Sequence, residues 1–326
     1  MSFDFNILIT GSSGFIGSHL VNHFVRLGYK CVCIDISHPG VDFSDEYTFY
    51  NIDICDFESL NSLFCKYKFK YVFNLAAITH LSGNSLVSYN CNTEGVLNIS
   101  KLCRIFKSHL FSFSTQLVVP VGFNPSSPFV YKPDTIYGLS KSIGEYIVRS
   151  SGCSWTILRP TTVWGPLMTG HLHSLMKFLA LGKYIHPSRS KSFKYFSFVS
   201  NLTFQVSSLL SLPSTSYSSK VFYLCDYEPI EIYSFVSSLS HGLRPNSSLP
   251  FRVPSLIAYL IANIFYLFSI FGFSKPYTIL SHRRINNICT SYPKPFSTLE
   301  SLIPSLPFSF TESVRATTSS FFLSRK

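Results

Sequence analysis

The chain is expected to fold as an α/β protein with a doubly wound parallel sheet, followed by a smaller, mostly helical C-terminal lobe. Three observations predict this. Ile7–Gly17 reads ILITGSSGFIG, a short apolar run that breaks into glycines at positions 11, 14 and 17 and then into a helical pattern. From there to Pro160 short apolar segments alternate with helical ones, the signature of a parallel sheet. Beyond Gly165 the alternation loosens.

Ile7, Leu8 and Ile9 form a continuous apolar run, as suits a strand buried on both faces. In the segment that follows, Leu20, Phe24 and Leu27 share one helical face, and Gly28 suits a C-cap. Strand, glycine turn and helix make the context of a Rossmann dinucleotide-binding turn. Glycine turns the chain sharply and leaves no Cβ in the way of a pyrophosphate, while the helix N-terminus offers it free N–H groups. Lys30–Ile34 is a second strand ending at Asp35, 18 residues past Gly17. A carboxylate there holds the adenosine ribose hydroxyls and repels a 2′-phosphate, which favours NAD over NADP.

Tyr47–Ile52 is a third strand that ends at Asp53, an acid for the adenine amine or a cap for the helix starting near Phe57. Tyr71–Leu75 is a fourth, running into Ala76 and Ala77, small enough to let a cofactor lie against the backbone. A helix from about Leu86 to Phe106 carries Asn92, and Leu110–Ser114 is a fifth strand leading to Thr115. After a proline-containing loop, Thr135 opens a helix bearing Tyr137, Lys141 and Glu145; Trp155–Arg159 is a sixth strand closed by Pro160. Later come a helix at His171–Leu181, two strands at Phe196–Val199 and Val221–Cys225 returning to the sheet, and a helix at Ile230–Leu239. These boundaries give a nucleotide domain over 1–165, rejoined by strands from 195–225, and a substrate lobe from 166–194 and 226–326.

Tyr137 and Lys141 are one helical turn apart and project from one face. An ammonium beside a phenol favours the phenolate and is expected to lower the tyrosine pKa. Such a phenol takes a proton from an alcohol or returns one to a ketone. Thr115 supplies a hydroxyl for the same substrate oxygen.

With 326 residues and 46% hydrophobic content the chain buries a large core and is not disordered. Its net charge of +11 suits an anionic small molecule or an acidic membrane surface; no compact Lys/Arg block marks a nucleic-acid binder. The nine cysteines show no CxxC pair and no metal-ligand spacing, so no metal is expected. With scattered cysteines and no signal-peptide pattern before the first strand, the expected setting is reduced and cytoplasmic, with membrane association through the apolar segment below as its variant. Ser255–Phe273 is almost wholly apolar and uncharged, with Lys275, Arg283 and Arg284 after it. A core or dimer-forming helix, peripheral membrane contact and a true span are its three readings, in that order.

TGSSGFIG, NLAA at 74–77, FST at 113–115, YGLSK at 137–141 and LRPTTVWGP at 158–166 resemble the extended short-chain dehydrogenase/reductases. More narrowly they resemble the NAD-dependent epimerase/dehydratase group, which acts on nucleotide-linked sugars. The resemblance covers roughly residues 5 to 225. It implies catalytic roles for Thr115, Tyr137 and Lys141. It implies cofactor contacts from the turn (Gly11, Ser13, Gly14, Phe15, Ile16, Gly17) and from Asp35, Asp53 and Ile54. Further contacts fall on Leu75, Ala76, Ala77, Asn92 and Pro160, beside Tyr137 and Lys141 themselves. Gln116, Thr162 and Lys194 stand where the family meets its substrate. Gln116–Leu117 replaces the Asp-Glu pair of sugar 4,6-dehydratases, Thr162 a frequent Asn, and Lys194 a frequent Arg. Lys194 keeps the charge without a bidentate fork. His171, His173, His186, Arg189 and Lys191 lie in the region that faces substrate in the family.

The expected activity is an NAD-dependent nucleotide-sugar epimerase, most simply at C4, in surface polysaccharide synthesis, with a homodimer as its form. The competing readings are a nucleotide-sugar dehydrogenase or 4-keto reductase, a membrane-associated enzyme resembling 3β-hydroxysteroid dehydrogenases, and a non-catalytic NAD-binding regulator.

Overall fold

The computed structural model describes residues 6–38, 47–81, 83–270 and 280–323. Seven strands make the central sheet: β1 (Asn6–Thr10), β2 (Lys30–Asp35), β3 (Tyr47–Asn51), β4 (Tyr71–Asn74), β5 (His109–Phe113), β6 (Ser154–Pro160) and β11 (Lys220–Leu224). Their order is β11-β6-β5-β4-β1-β2-β3, and every pairing is parallel. The sheet is buried on both faces because its strands are apolar at consecutive positions. Ile7, Ile9, Cys33, Phe73 and Phe111 join one core with Leu20 and Phe24 of α1 (Phe15–Arg26) and Leu202 and Val206 of α6 (Val199–Leu209). Leu8, Val32, Ile34, Val72 and Leu110 join the other, under α2 (Phe57–Tyr67), α3 (Glu94–Ile105) and α4 (Ile136–Ser150). The period-two pleat does this sorting.

The chain runs outward from β1 to the β3 edge and crosses back to β4 on the other side of β1. That reversal opens a crevice at the carboxyl ends of β1 and β4, where such folds bind ligands.

A third core gathers Trp164, Met176, Phe196, Phe198, Phe235 and Val314. It lies among β7 (Thr162–Trp164), α5 (Gly170–Ala180), β10 (Phe196–Phe198), α7 (Ile232–Leu243) and α10 (Phe310–Leu323). Short two-residue strands fasten its periphery: β8 (Ile185–His186) to β13 (Phe251–Arg252), and β9 (Phe193–Lys194) to β12 (Ile230–Glu231).

Two expectations are corrected. Phe196–Val199 does not return to the central sheet, as β10 pairs with β7 in a separate two-stranded sheet. The free edge of β6 is already filled by β11, and the Phe198 amide donates to the Asp226 carboxylate at 3.0 Å before α6 begins. The helix expected over Leu86–Phe106 is two pieces, a 3₁₀ stretch at Leu86–Asn92 and α3, because Tyr89 and Thr93 leave helical geometry while Asn92 turns inward.

The apolar segment becomes α8 (Ser255–Ile270); residues 271–273 and Lys275 lie outside the described residues. No helix among the described residues is long and apolar enough to cross a membrane. Only Ala258 and Ala262 of α8 are buried, against Ile285 of α9 (His282–Cys289).

Candidate active site

A cavity of about 670 Å³ occupies the crevice. Gly11, Ser13, Gly14, Phe15, Ile16 and Gly17 line one wall, and Asp35, Asp53 and Ile54 close the outer end. Leu75, Ala76 and Ala77 form the floor; Thr115, Tyr137, Lys141 and Pro160 stand at the inner end.

The three glycines do different work. Gly11 has φ +67°, and a Cβ there would lie 2.6 Å from the Ala76 nitrogen. A Cβ on Gly17 would meet the Gly11 carbonyl oxygen at 2.0 Å. Both glycines let main chains touch. Gly14 is the N-cap of α1, and its missing Cβ has one neighbour within 4 Å, the Gly11 oxygen at 3.2 Å. The remaining space belongs to the cavity. No acidic residue stands in the first turn of α1, so its amide end presents uncancelled positive potential to that space.

Hydrogen bonds from β1 to β4 hold the floor in place. Thr10 Oγ1 donates to Asn74 Oδ1 at 2.7 Å and accepts from the Ala76 amide at 3.1 Å. The Asp35 carboxylate is fixed by the amides of Ser13 and Ser37, each at 3.0 Å. Helix α2 is capped by Asp56, which accepts from Ser59 N at 3.1 Å; Asp53 faces the cavity and accepts from Cys55 N at 2.9 Å.

At the inner end the Thr115 and Tyr137 side chains line the cavity together, with Thr115 favouring the phenolate. Burial pushes the Tyr137 phenol up to about 12, opposed by the Thr115 hydroxyl and reinforced by Tyr89. Burial likewise pushes the Lys141 ammonium down to about 8, against the pull of Cys91 and Glu145. The expected lowering of the tyrosine pKa is therefore reversed in the free chain: desolvation dominates, and Lys141 is not among the causes of the shift.

Asn92 is wholly buried and is not on the cavity wall. Its Oδ1 accepts from the Ile78 amide at 2.8 Å, and its Nδ2 donates to the Ile78 carbonyl and Ser140 Oγ, each at 2.9 Å. It thus ties the loop after β4 to the helix bearing Tyr137. Gln116, Thr162 and Lys194 also stand off the cavity lining. Gln116 Nε2 donates to Thr162 Oγ1 at 3.5 Å. Lys194 Nζ donates to Asn287 Oδ1 and sits 4.6 Å above the Tyr292 ring; burial pushes it down to about 7. His171 is held down by its own burial and by the charges of Arg284 and Lys194. His173 lines a separate cavity of about 300 Å³ beside α10, and His186 contacts Tyr184 OH at 3.1 Å. Arg189 and Lys191 are exposed.

One assembly has no sequence signal. Arg159 of β6 and Glu145 of α4 form a buried ion pair at 2.7 Å. Glu145 also accepts from Ser114 Oγ at 2.5 Å and Tyr131 OH at 2.8 Å, while Arg159 donates to Tyr223 OH at 3.1 Å and to the Pro128 carbonyl at 2.7 Å. This network anchors the residue before Thr115, the helix of Tyr137 and the proline loop together.

A model of the NAD dependent epimerase/dehydratase family matches residues 7–192. The chain belongs to that family and is an NAD-dependent enzyme of it. It is 29% identical over 162 residues to UDP-glucose 4-epimerase of Caenorhabditis elegans, a match spanning 43% of this chain and 46% of that protein. It is 22% identical to the N-acetyl-α-D-glucosaminyl-diphospho-ditrans,octacis-undecaprenol 4-epimerase of Escherichia coli O157:H7, over 78% of each chain. The crystal structure of UDP-glucuronic acid 4-epimerase from Bacillus cereus in complex with NAD superposes with a TM-score of 0.74 at 19% identity, covering 98% of this chain and all of that one. The cavity fits the cofactor on its own terms, by the open Gly14 face and by the carboxylate of Asp35 at the rim.

Proposed function

We propose that this chain is an NAD-dependent nucleotide-sugar epimerase, acting most simply at C4, in the supply of sugars for a surface polysaccharide. The observation that carries the reading is that Thr115, Tyr137 and Lys141 meet at the inner end of a cavity whose outer end is a glycine turn and an acid. The glycine turn, Asp35 and Ala76 would hold NAD, which would supply reversible hydride transfer at the sugar carbon. Tyr137 accepts the proton of the substrate hydroxyl and gives it back to the ketone, and Thr115 holds the same oxygen. Lys141, one turn along α4, supports the phenolate with its ammonium in this proposal. Gln116 and Leu117 offer no acid–base pair, so elimination of water is not served.

Residues 166–194 and 226–326 form the substrate lobe in this proposal, with Lys194, Arg284 and a neutral His171 as donors to a diphosphate. Exposed Leu97 on α3, with Leu139 and Tyr146 on α4, offers a face for a homodimer. All nine cysteines are free thiols, which suits the cytoplasm.

The test is a panel of UDP-, GDP-, CDP- and dTDP-sugars given to the purified protein, read by product identity and by NADH absorbance. Epimer formation without net NADH is expected. Stoichiometric NADH would replace the reading with a dehydrogenase, and no turnover with any sugar would refute it. A second reading, a sugar carried on a lipid diphosphate, is favoured by the exposed apolar face of α8 and by the undecaprenol-linked substrate named for the E. coli relative.

A further inference from the structure

Helix α8 is packed inside out. A surface helix of a water-soluble protein turns its large apolar side chains inward. Here the two buried positions are the alanines, Ala258 and Ala262. Leu256, Ile257, Leu260, Ile264, Leu267 and Ile270 are 45–70% exposed. At 3.6 residues per turn these six fall within an arc of about 140°, opposite the alanines. No charged residue interrupts Ser255–Ile270. The face is therefore a contiguous apolar surface of the kind that marks an interaction site.

The surroundings of α8 indicate what covers it. β13 leads into α8 through Val253 and Pro254, and its exposed Phe251 pairs in register with exposed Ile185 of β8, extending the apolar surface past the helix N-terminus. Beside this extension the β8 segment carries exposed Lys183, Arg189 and Lys191. The charge is one-sided on a larger scale too. Residues 166–326 contain fifteen Lys and Arg against five Asp and Glu, and no acid occurs between Ile232 and Leu299. An apolar strip edged mainly by cations, with Glu231 near His186 and Asp134 on Arg283 as the acids beside it, complements a bilayer with anionic headgroups, whose acyl layer takes the leucines and whose phosphates take the lysines and arginine.

We propose that α8, with the β8–β13 edge, docks this enzyme on the surface of an anionic membrane. The docking helix is fastened to the chemistry. It rests on α9, whose Arg283 pairs with Asp134 at 3.2 Å, next to the cap of the Tyr137 helix, and whose Asn287 holds Lys194.

The experiment is flotation of the full chain with phosphatidylcholine vesicles, with and without a minority of phosphatidylglycerol. Three proteins are compared: wild type, a Leu260→Ser/Ile264→Ser/Leu267→Ser variant, and an Arg189→Glu/Lys191→Glu variant. The substituted side chains are exposed, and retained NAD binding confirms the fold of each variant. Wild type is expected to float with the anionic vesicles and to release when salt rises from about 0.1 M to about 1 M, which cuts the screening length from about 10 Å to about 3 Å. The serine variant should bind at least about tenfold more weakly, and the charge-reversed variant should lose the preference for phosphatidylglycerol. Wild type that stays with the aqueous fraction, or serine substitutions that leave flotation unchanged, would overturn the proposal. So would a wild-type dimer that does not float and that the same serines convert to monomer, which would assign the face to a second copy of the chain. The outcome is independent of the sugar panel, because flotation needs no turnover.

Discussion

The glycine turn makes a prediction that separates holding the fold from holding the cofactor. Gly11→Ala places a Cβ 2.6 Å from the Ala76 nitrogen and 2.8 Å from both the Ala76 Cα and the Leu75 carbonyl carbon, all of them main-chain atoms. They belong to the junction where Leu75 N donates to the Thr10 carbonyl, so the floor of the cavity has to move. Left-handed backbone at φ +67° costs an L-residue about 1–2 kcal/mol, and overpacking adds about 1–3, for a loss of about 2–5 kcal/mol. Gly14→Ala has ordinary φ and one contact, at 3.2 Å, so replacing an N-cap glycine costs about 1 kcal/mol or less. Its new methyl group points where the dinucleotide must pass, and NAD affinity should fall at least about tenfold, or about 1.4 kcal/mol. Urea unfolding with and without NAD reads both effects. At a concentration near 100 times the wild-type Kd, NAD adds about 2.7 kcal/mol to wild type and about half of that to Gly14→Ala. If Gly14→Ala unfolds as early as Gly11→Ala, or gains the full wild-type increment from NAD, the division of labour argued from these distances is wrong.

Three further outcomes are expected. Tyr137→Phe should lower turnover about 10²–10⁴-fold while NAD binding, measured by fluorescence titration, stays near wild type, because the phenol moves a proton and the ring still fills its place. Arg159→Met leaves the Glu145 carboxylate buried without its cation and should destabilise the chain by about 3–5 kcal/mol, whereas the pair Arg159→Met with Glu145→Gln should recover part of that loss in the same unfolding assay. The buried Lys194 titrates near 7 in the folded chain and near 10.5 when unfolded, so the unfolded chain holds the extra proton between those values and stability rises with pH across that window. Lys141, at about 8, adds the same sign over a narrower range; Lys194→Met should flatten the slope of unfolding free energy between pH 7 and 9 but not abolish it.

The sequence alone marked the seven strands of the central sheet, to which it wrongly added Phe196–Val199, and most of the residues on the cavity wall. Ile7–Gly17, Asp35, Ala76 and Ala77, Thr115 and Tyr137 with Lys141 all carry their signal within one strand–turn–helix unit or one helical turn, where local sterics and periodicity decide the outcome. Parallel strands fed by helices then leave one crevice for all of them. Contacts between segments remote in sequence were decided by the tertiary structure. The Arg159–Glu145 pair joins a strand to a helix, Asn92 clamps a loop to a different helix, and Lys194 finds Asn287 more than ninety positions away. Neither residue type nor spacing announces such meetings. The same holds for the ionisation of Tyr137: its partner Lys141 is legible as a neighbour, but the burial that raises the phenol pKa is a property of the assembled interior. It holds for β10 too, which pairs with β7 while β11 occupies the edge of β6. The sequence marked Ser255–Ile270 as apolar. Only the packed helix showed that its alanines face the protein and its leucines face outward, because direction is set by what a helix rests on.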